Sequence, residues 1–218
     1  MSQKSKLLKT TVTIPVKTKY LLYLPENYKG SKSRWPLVLF LHGAGECGSN
    51  LDRVAVHGPP KLAANGKQFP FVMVSPLCPY REWWNTGAQI ATLGKLLDDI
   101  VSRYRIDRKR IYVTGMSMGG YGTWSLAQKY PKRFAAIAPI CGGGNPAEAA
   151  KIAHVPAWVF HGAKDELVLP KLSHDMVKAL RRAGGKPKFT VYPDVGHDSW
   201  SAAYDNPALY AWLLKQSR

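Results

Sequence analysis

Ser117 stands in Gly115-Met116-Ser117-Met118-Gly119, a G-x-S-x-G pentapeptide. A serine hydroxyl is a weak nucleophile until a base takes its proton and an acid orients that base. The chemistry such a set performs is acyl transfer. The flanks give the pentapeptide its meaning. Arg110-Ile111-Tyr112-Val113-Thr114 reads as a strand, and residues 120–130 read as a helix. Strand, sharp turn and helix in that order make a nucleophile elbow. Its glycines let neighbouring backbone come close without Cβ clashes, and its hydroxyl stands at the positive end of a helix.

Six histidines compete to be the base. His57, His154 and His174 lie in helix or loop contexts without a partner signal. His42 begins a turn after an apolar run, and His161 ends the Trp158-Val159-Phe160 strand; a lone histidine of this kind is usually structural. His197, in Asp194-Val195-Gly196-His197-Asp198, completes the order serine, acid, histidine along the chain. The acid is expected after the second strand beyond the elbow, where the chain reads His161-Gly162-Ala163-Lys164-Asp165-Glu166. Asp165 is the leading candidate and Glu166 the runner-up. Asp198, next to His197, reads as a loop cap.

Attack on a carbonyl builds negative charge on its oxygen, which two backbone N–H groups normally hold. The N–H of Met118 is one candidate. The other comes from His42-Gly43-Ala44-Gly45-Glu46, with Ala44 the first choice and Gly45 the second. Losing one such donor typically raises a barrier by about 2.7–4 kcal/mol.

These residues need a scaffold that brings them to one place. Leu37-Val38-Leu39-Phe40-Leu41 and Phe71-Val72-Met73-Val74 are continuous apolar runs, as in strands covered on both faces. Further strands are expected at 111–114, 134–140, 157–160 and 189–192. Residues 11–16 and 20–24 read as two strands forming an antiparallel edge. Ile90, Leu93, Leu96, Leu97, Ile100, Val101 and Tyr104 recur at helical spacing. Helices are also expected over 171–183 and 207–215, the first stopped by Gly184-Gly185. Strands alternating with helices imply an α/β class: a mostly parallel central sheet with helices on both faces. Ligands of such sheets bind beyond the carboxyl ends of the strands, where every candidate above sits.

The 218 residues suit one domain spanning 1–218, with a sizeable core. Hydrophobic residues make up 45%, which excludes a disordered chain. No apolar run reaches membrane-span length. Lys4 and Lys6 near the start precede no signal-like apolar stretch, so the expected location is cytoplasmic, or secreted with a signal removed. Cys47, Cys78 and Cys141 are too few and too scattered for a disulfide framework or a zinc site. Net charge is +17, from 31 Lys+Arg against 14 Asp+Glu, which favours weak attraction to anionic polymers. The basic residues are spread out and form no nucleic-acid motif.

Four segments in order resemble the α/β-hydrolase fold, and within it the small serine esterases of the phospholipase/carboxylesterase and feruloyl-esterase-like group, related to prolyl oligopeptidase catalytic domains. They are residues 41–46, the elbow with Gly120-Tyr121-Gly122-Thr123-Trp124, Val159 to Asp165, and Gly196-His197-Asp198-Ser199-Trp200. The resemblance implies Ser117 as nucleophile, Asp165 as orienting acid and His197 as base, with no metal or organic cofactor. Cys47 stands where that group often carries arginine. Dienelactone hydrolases share the fold with a cysteine nucleophile, and Ser117 argues against that chemistry.

The interval from Ile140 to Val155 is too short for a cap domain, so an open site is expected. Trp83 and Trp84 follow an apolar run and are candidates to line an acyl or aromatic pocket; they suit packing under a long loop equally well. Trp200 is a candidate for substrate contact or for buttressing the His197 loop. The function expected is a serine carboxylesterase acting on feruloyl- or acetyl-type esters of carbohydrate. The alternatives are a peptidase of prolyl-oligopeptidase type and a non-catalytic module that binds anionic polymer.

Overall fold

The computed structural model describes residues 4–10, 13 and 15–218. Among the described residues seven strands form one sheet in the order β1-β3-β2-β4-β5-β6-β7. They are β1 (Tyr20–Tyr23), β2 (Trp35–Leu41), β3 (Val72–Pro76), β4 (Ile106–Met116), β5 (Ala136–Ile140), β6 (Trp158–Gly162) and β7 (Lys188–Tyr192). Of the pairs among the described residues only β1–β3 is antiparallel, in the register Tyr20 with Pro76 to Tyr23 with Met73. All other pairs are parallel. The strand expected at 11–16 falls partly on Thr11, Val12 and Ile14, outside the described residues; β1 pairs with β3.

The apolar runs divide by alternation, because successive side chains of a strand point to opposite faces. Leu37, Leu39, Leu41, Ile111 and Val113 belong to one core, with side chains of α2 (Gly87–Arg103), α3 (Met118–Lys129) and α4 (Lys171–Arg182). Val38, Phe40 and Tyr112 belong to the other, with side chains of α5 (Trp200–Asp205) and α6 (Pro207–Leu214). Leu62 and Ala63 of α1 (Gly58–Ala64) pack on this second core. Each fully buried residue of this kind contributes about 1.5–3 kcal/mol, which is why both faces are covered. Two helices were not expected. α1 begins at Gly58-Pro59-Pro60, where proline is tolerated because early helical N–H groups lack partners anyway. α5 is six residues long, too short to display a period.

The carboxyl ends of the parallel strands share one rim. From it leave the turn after β2, the loop after β3, the elbow after β4 and the loops after β6 and β7. Between β5 and β6 lies only a 3-10 helix, Pro146–Ile152, and no cap.

Candidate active site

Ser117 follows β4 with φ 52° and ψ −116°, a left-handed conformation rarely adopted by a residue with a side chain. Two things hold it there. Its N–H donates to the Ile140 carbonyl at 2.9 Å. The elbow also packs backbone against backbone: a Cβ on Gly119 would lie 1.9 Å from the Leu41 carbonyl oxygen. Ser117 is half-buried and opens onto the rim.

His197 arrives on the loop after β7. Its Nε2 is 2.9 Å from Ser117 Oγ and its Nδ1 is 2.8 Å from Asp165 Oδ2. A carboxylate accepts, so Nδ1 carries the hydrogen and Nε2 is free to accept from the serine hydroxyl. The two loops meet because Gly162 has no side chain; a Cβ there would stand 2.1 Å from the Gly196 carbonyl oxygen.

Asp165 is buried. Its Oδ1 accepts the N–H groups of Leu167 at 3.0 Å and Val168 at 2.9 Å. Burial pushes its pKa up, but the His197 hydrogen bond and these backbone donors outweigh that and hold it below the usual carboxylate range. It is therefore ionised at neutral pH. Glu166 is exposed and makes no such contact.

Met118 opens α3, and Ala44 opens the 3-10 helix Ala44–Glu46. First N–H groups of helices have no intrahelical acceptor. Among the described residues neither amide finds a backbone acceptor elsewhere. Both residues line a cavity of about 430 Å³ with Gly45, Cys47, Arg53, Tyr80, Arg81, Glu82 and Trp83. Larger hollows of about 550 and 770 Å³ adjoin Tyr130, and no residue named here as a site candidate lines them.

The three tryptophans separate. Trp83 is 48% exposed and faces the cavity beside Ala44 and Met118. Trp84 does not line it, which corrects that expectation. Its ring is fully buried, its Nε1 donates to the His42 carbonyl at 3.0 Å, and Gly122 packs against it. Trp200 stands edge-on to His197, with ring centres 5.2 Å apart, and also contacts His57. It borders a second cavity of about 250 Å³.

The contacts of several neighbours lay outside the sequence reading. His42 is buried, with Nδ1 2.6 Å from the Gly43 carbonyl while Nε2 accepts the Cys78 N–H at 3.0 Å. Burial lowers its pKa to about 4, so the ring is neutral and serves to shape the turn. Cys141 is buried, and burial pushes its thiol up to about 12. It forms, with Asp165 and His197, a group whose ligand atoms lie within 4.8 Å of one another. Two of the three are already bonded to each other and the thiol is held neutral, which suits metal binding poorly. His161 also reaches Asp165. The i, i+4 spacing of His161 and Asp165 was the one signal of that contact.

A seven-stranded, mostly parallel sheet with a strained serine between strand and helix defines the α/β-hydrolase fold. The sequence model of the Dienelactone hydrolase family matches residues 82–207, and the chain belongs to that family. At the elbow it carries Ser117. The crystal structure of a thermostable esterase is similar at a TM-score of 0.80 and 33% identity, covering 91% of this chain and 59% of that one. The bifunctional acetylxylan esterase/xylanase XynS20E of Neocallimastix patriciarum is 30% identical over 151 residues. That stretch is 67% of this chain and 21% of that protein, so the chain matches about a fifth of that protein's length. A ferulic acid esterase structure is similar in fold, with a TM-score of 0.67 and 22% identity over 89% of each chain. Among the described residues no helix is long and apolar enough to cross a membrane.

Proposed function

We propose that this chain is a serine esterase working through an acyl-enzyme. The observation that carries the reading is the unbroken relay from Ser117 Oγ to His197 Nε2 at 2.9 Å and from His197 Nδ1 to Asp165 Oδ2 at 2.8 Å. Ser117 Oγ attacks the ester carbonyl as His197 Nε2 takes the hydroxyl proton. The carbonyl oxygen becomes negative and is met by the N–H groups of Met118 and Ala44. The tetrahedral centre collapses, the ester C–O bond breaks, and His197 returns the proton to the leaving alkoxide. Water then attacks the acyl-enzyme with His197 again as base, releasing the acid and restoring Ser117. Asp165 keeps its charge throughout and steadies the imidazolium.

The substrates proposed are acetyl or hydroxycinnamoyl esters on carbohydrate. Three features support this: the cap-free rim, the exposed Tyr80 and Trp83 at the cavity, and the acetylxylan and ferulic acid esterases among the similar proteins. Exposed aromatic faces suit the ring of a hydroxycinnamate or the apolar face of a sugar. The test is Ser117→Ala on p-nitrophenyl acetate, with an expected fall in kcat of roughly 10⁴-fold or more. Turnover retained at the wild-type level would overturn the mechanism. A panel of methyl ferulate, acetylated xylan and p-nitrophenyl esters of rising chain length tests the substrate class. Activity confined to long acyl chains would remove it.

A further inference from the structure

Asp165 Oδ2 receives a second hydrogen bond that the three-residue relay does not call for. His161 Nε2 lies 3.1 Å from it and 2.8 Å from the Val168 carbonyl oxygen. A carbonyl only accepts, so Nε2 bears the hydrogen and shares it between the two oxygens. On the far side of the ring, Nδ1 is 2.7 Å from Ser173 Oγ on α4. His161 and Ser173 are both fully buried. Burial lowers the His161 pKa, so the ring is neutral and Ser173 turns its hydrogen toward Nδ1 rather than toward the Gly142 carbonyl 3.2 Å away. The tautomer is thus fixed from both sides, and its one donor is aimed at the carboxylate that orients His197.

We infer that His161, its tautomer set by Ser173, is a positioning residue that holds Asp165 in the rotamer where Oδ2 meets His197 Nδ1. This rests on the serine esterase reading. Oδ1 is pinned by two backbone N–H groups, whereas without His161 the buried Oδ2 has His197 as its only donor. An under-satisfied buried carboxylate swings toward other donors and takes the His197 ring with it. Among the described residues no other side chain is hydrogen-bonded to Asp165. Tyr121 from α3 and Cys141 after β5 face it as neutral groups. His57 packs edge-on against Trp200 and lies 3.8 Å from Glu46, with no contact to Asp165.

The experiment compares His161→Leu, which keeps bulk and removes the donor, with His161→Gln, which offers an amide N–H at the same reach. For His161→Leu, kcat on p-nitrophenyl acetate is expected to fall by about tenfold or more, since a misplacement of about 1 Å can cost about 10²-fold. KM stays within about twofold, because the contacts to substrate are untouched. The acid limb of the pH–rate profile moves to lower pH, because a carboxylate that has swung away stabilises the His197 imidazolium less. Labelling of Ser117 by a fluorophosphonate slows in parallel. His161→Gln recovers most of each change. Wild-type kcat in the leucine variant overturns the inference, and so does equal thermal destabilisation of both variants with the pH profile in place. If His161→Leu does not fold, His161→Ala, which also removes the donor, takes its place and should lower kcat with the same pH displacement; wild-type kinetics there overturn the inference as well. Ser117→Ala run alongside separates the two layers. If it remains active, the esterase reading fails; if it is dead while His161→Leu is fully active, only the positioning role fails.

Discussion

Two segments meet beside Ser117 and are held in different ways. The elbow, Gly115 to Gly119, is fixed by backbone lying on backbone, with no room for a single added carbon at Gly119. The loop after β3 presents side chains to solvent: Tyr80 is 72% exposed and Trp83 is 48% exposed. Within that loop Arg81 has φ 63°, a strained conformation on a cavity wall. Where bond-making atoms must be placed, the fold over-determines position. Where a substrate would be held, it leaves surface that can change without disturbing the core. Adjacent residues Trp83 and Trp84 mark the border, one facing the cavity and the other sealed beneath the elbow.

The hardest way to break this contrast is Gly119→Ala. The new Cβ meets the Leu41 carbonyl, which belongs to a central strand and cannot step aside. The expected loss is above about 4 kcal/mol in urea unfolding, the range reserved for such conflicts. Gly45→Ala, with nothing within 4 Å of the added carbon, should stay within about 0.5 kcal/mol of wild type. Similar stabilities for the two variants would remove the claim that packing fixes the elbow.

Trp84→Ala comes next. It empties a fully buried site and strips the His42 carbonyl of its donor. A loss of about 3–5 kcal/mol is expected from equilibrium unfolding. A loss under about 1 kcal/mol would mean that Trp84 packs no more tightly than a surface residue.

The same buried turn predicts a pH effect. His42 is neutral in the folded chain, with a pKa lowered to about 4 by burial. In the unfolded chain it titrates near its ordinary value of about 6.5. Between those values the unfolded state binds the extra proton, so stability falls as pH drops from about 6.5 toward 4. The full difference is about 3 kcal/mol, and the lowered pKa of buried His161 adds in the same direction. Urea unfolding at pH 7 and pH 4.5 measures it. In His42→Gln the dependence should shrink; if it does not, the loss arises elsewhere.

The border between the two segments is also where sequence reading stops. Doubly covered strands announce themselves as unbroken apolar runs, and Leu37–Leu41 could be placed without coordinates. Ser117, Asp165 and His197 could be picked from their order and from the strand ends they follow. The coordinates add the hydrogen bonds. Trp83 and Trp84 could not be told apart, because direction in a loop depends on tertiary contacts such as the His42 carbonyl and not on a period. His161 looked like the end of a strand. Its link to Asp165 depends on Val168 and on Ser173 in another helix, both outside the segment where the motif is read. The helix at 58–64 hid behind two prolines, and the one at 200–205 is too short to show a stripe.

The smallest expected effect is the sharpest test of the comparison. Trp83→Ala removes a half-exposed ring that bonds to nothing in the core, so stability should remain within about 0.5 kcal/mol of wild type. The ring lines the cavity that Ala44 and Met118 also line, so its loss should fall on substrate instead. For an aromatic ester such as methyl ferulate, KM is expected to rise about three- to tenfold, since an aromatic contact contributes about 0.5–1.5 kcal/mol. For p-nitrophenyl acetate, whose acyl group carries no ring, the change should be less. An equal rise for both esters would point to a distorted oxyanion turn. A fall in unfolding free energy to match that of Trp84→Ala would mean that the two tryptophans belong to one packed unit and that no border runs between them.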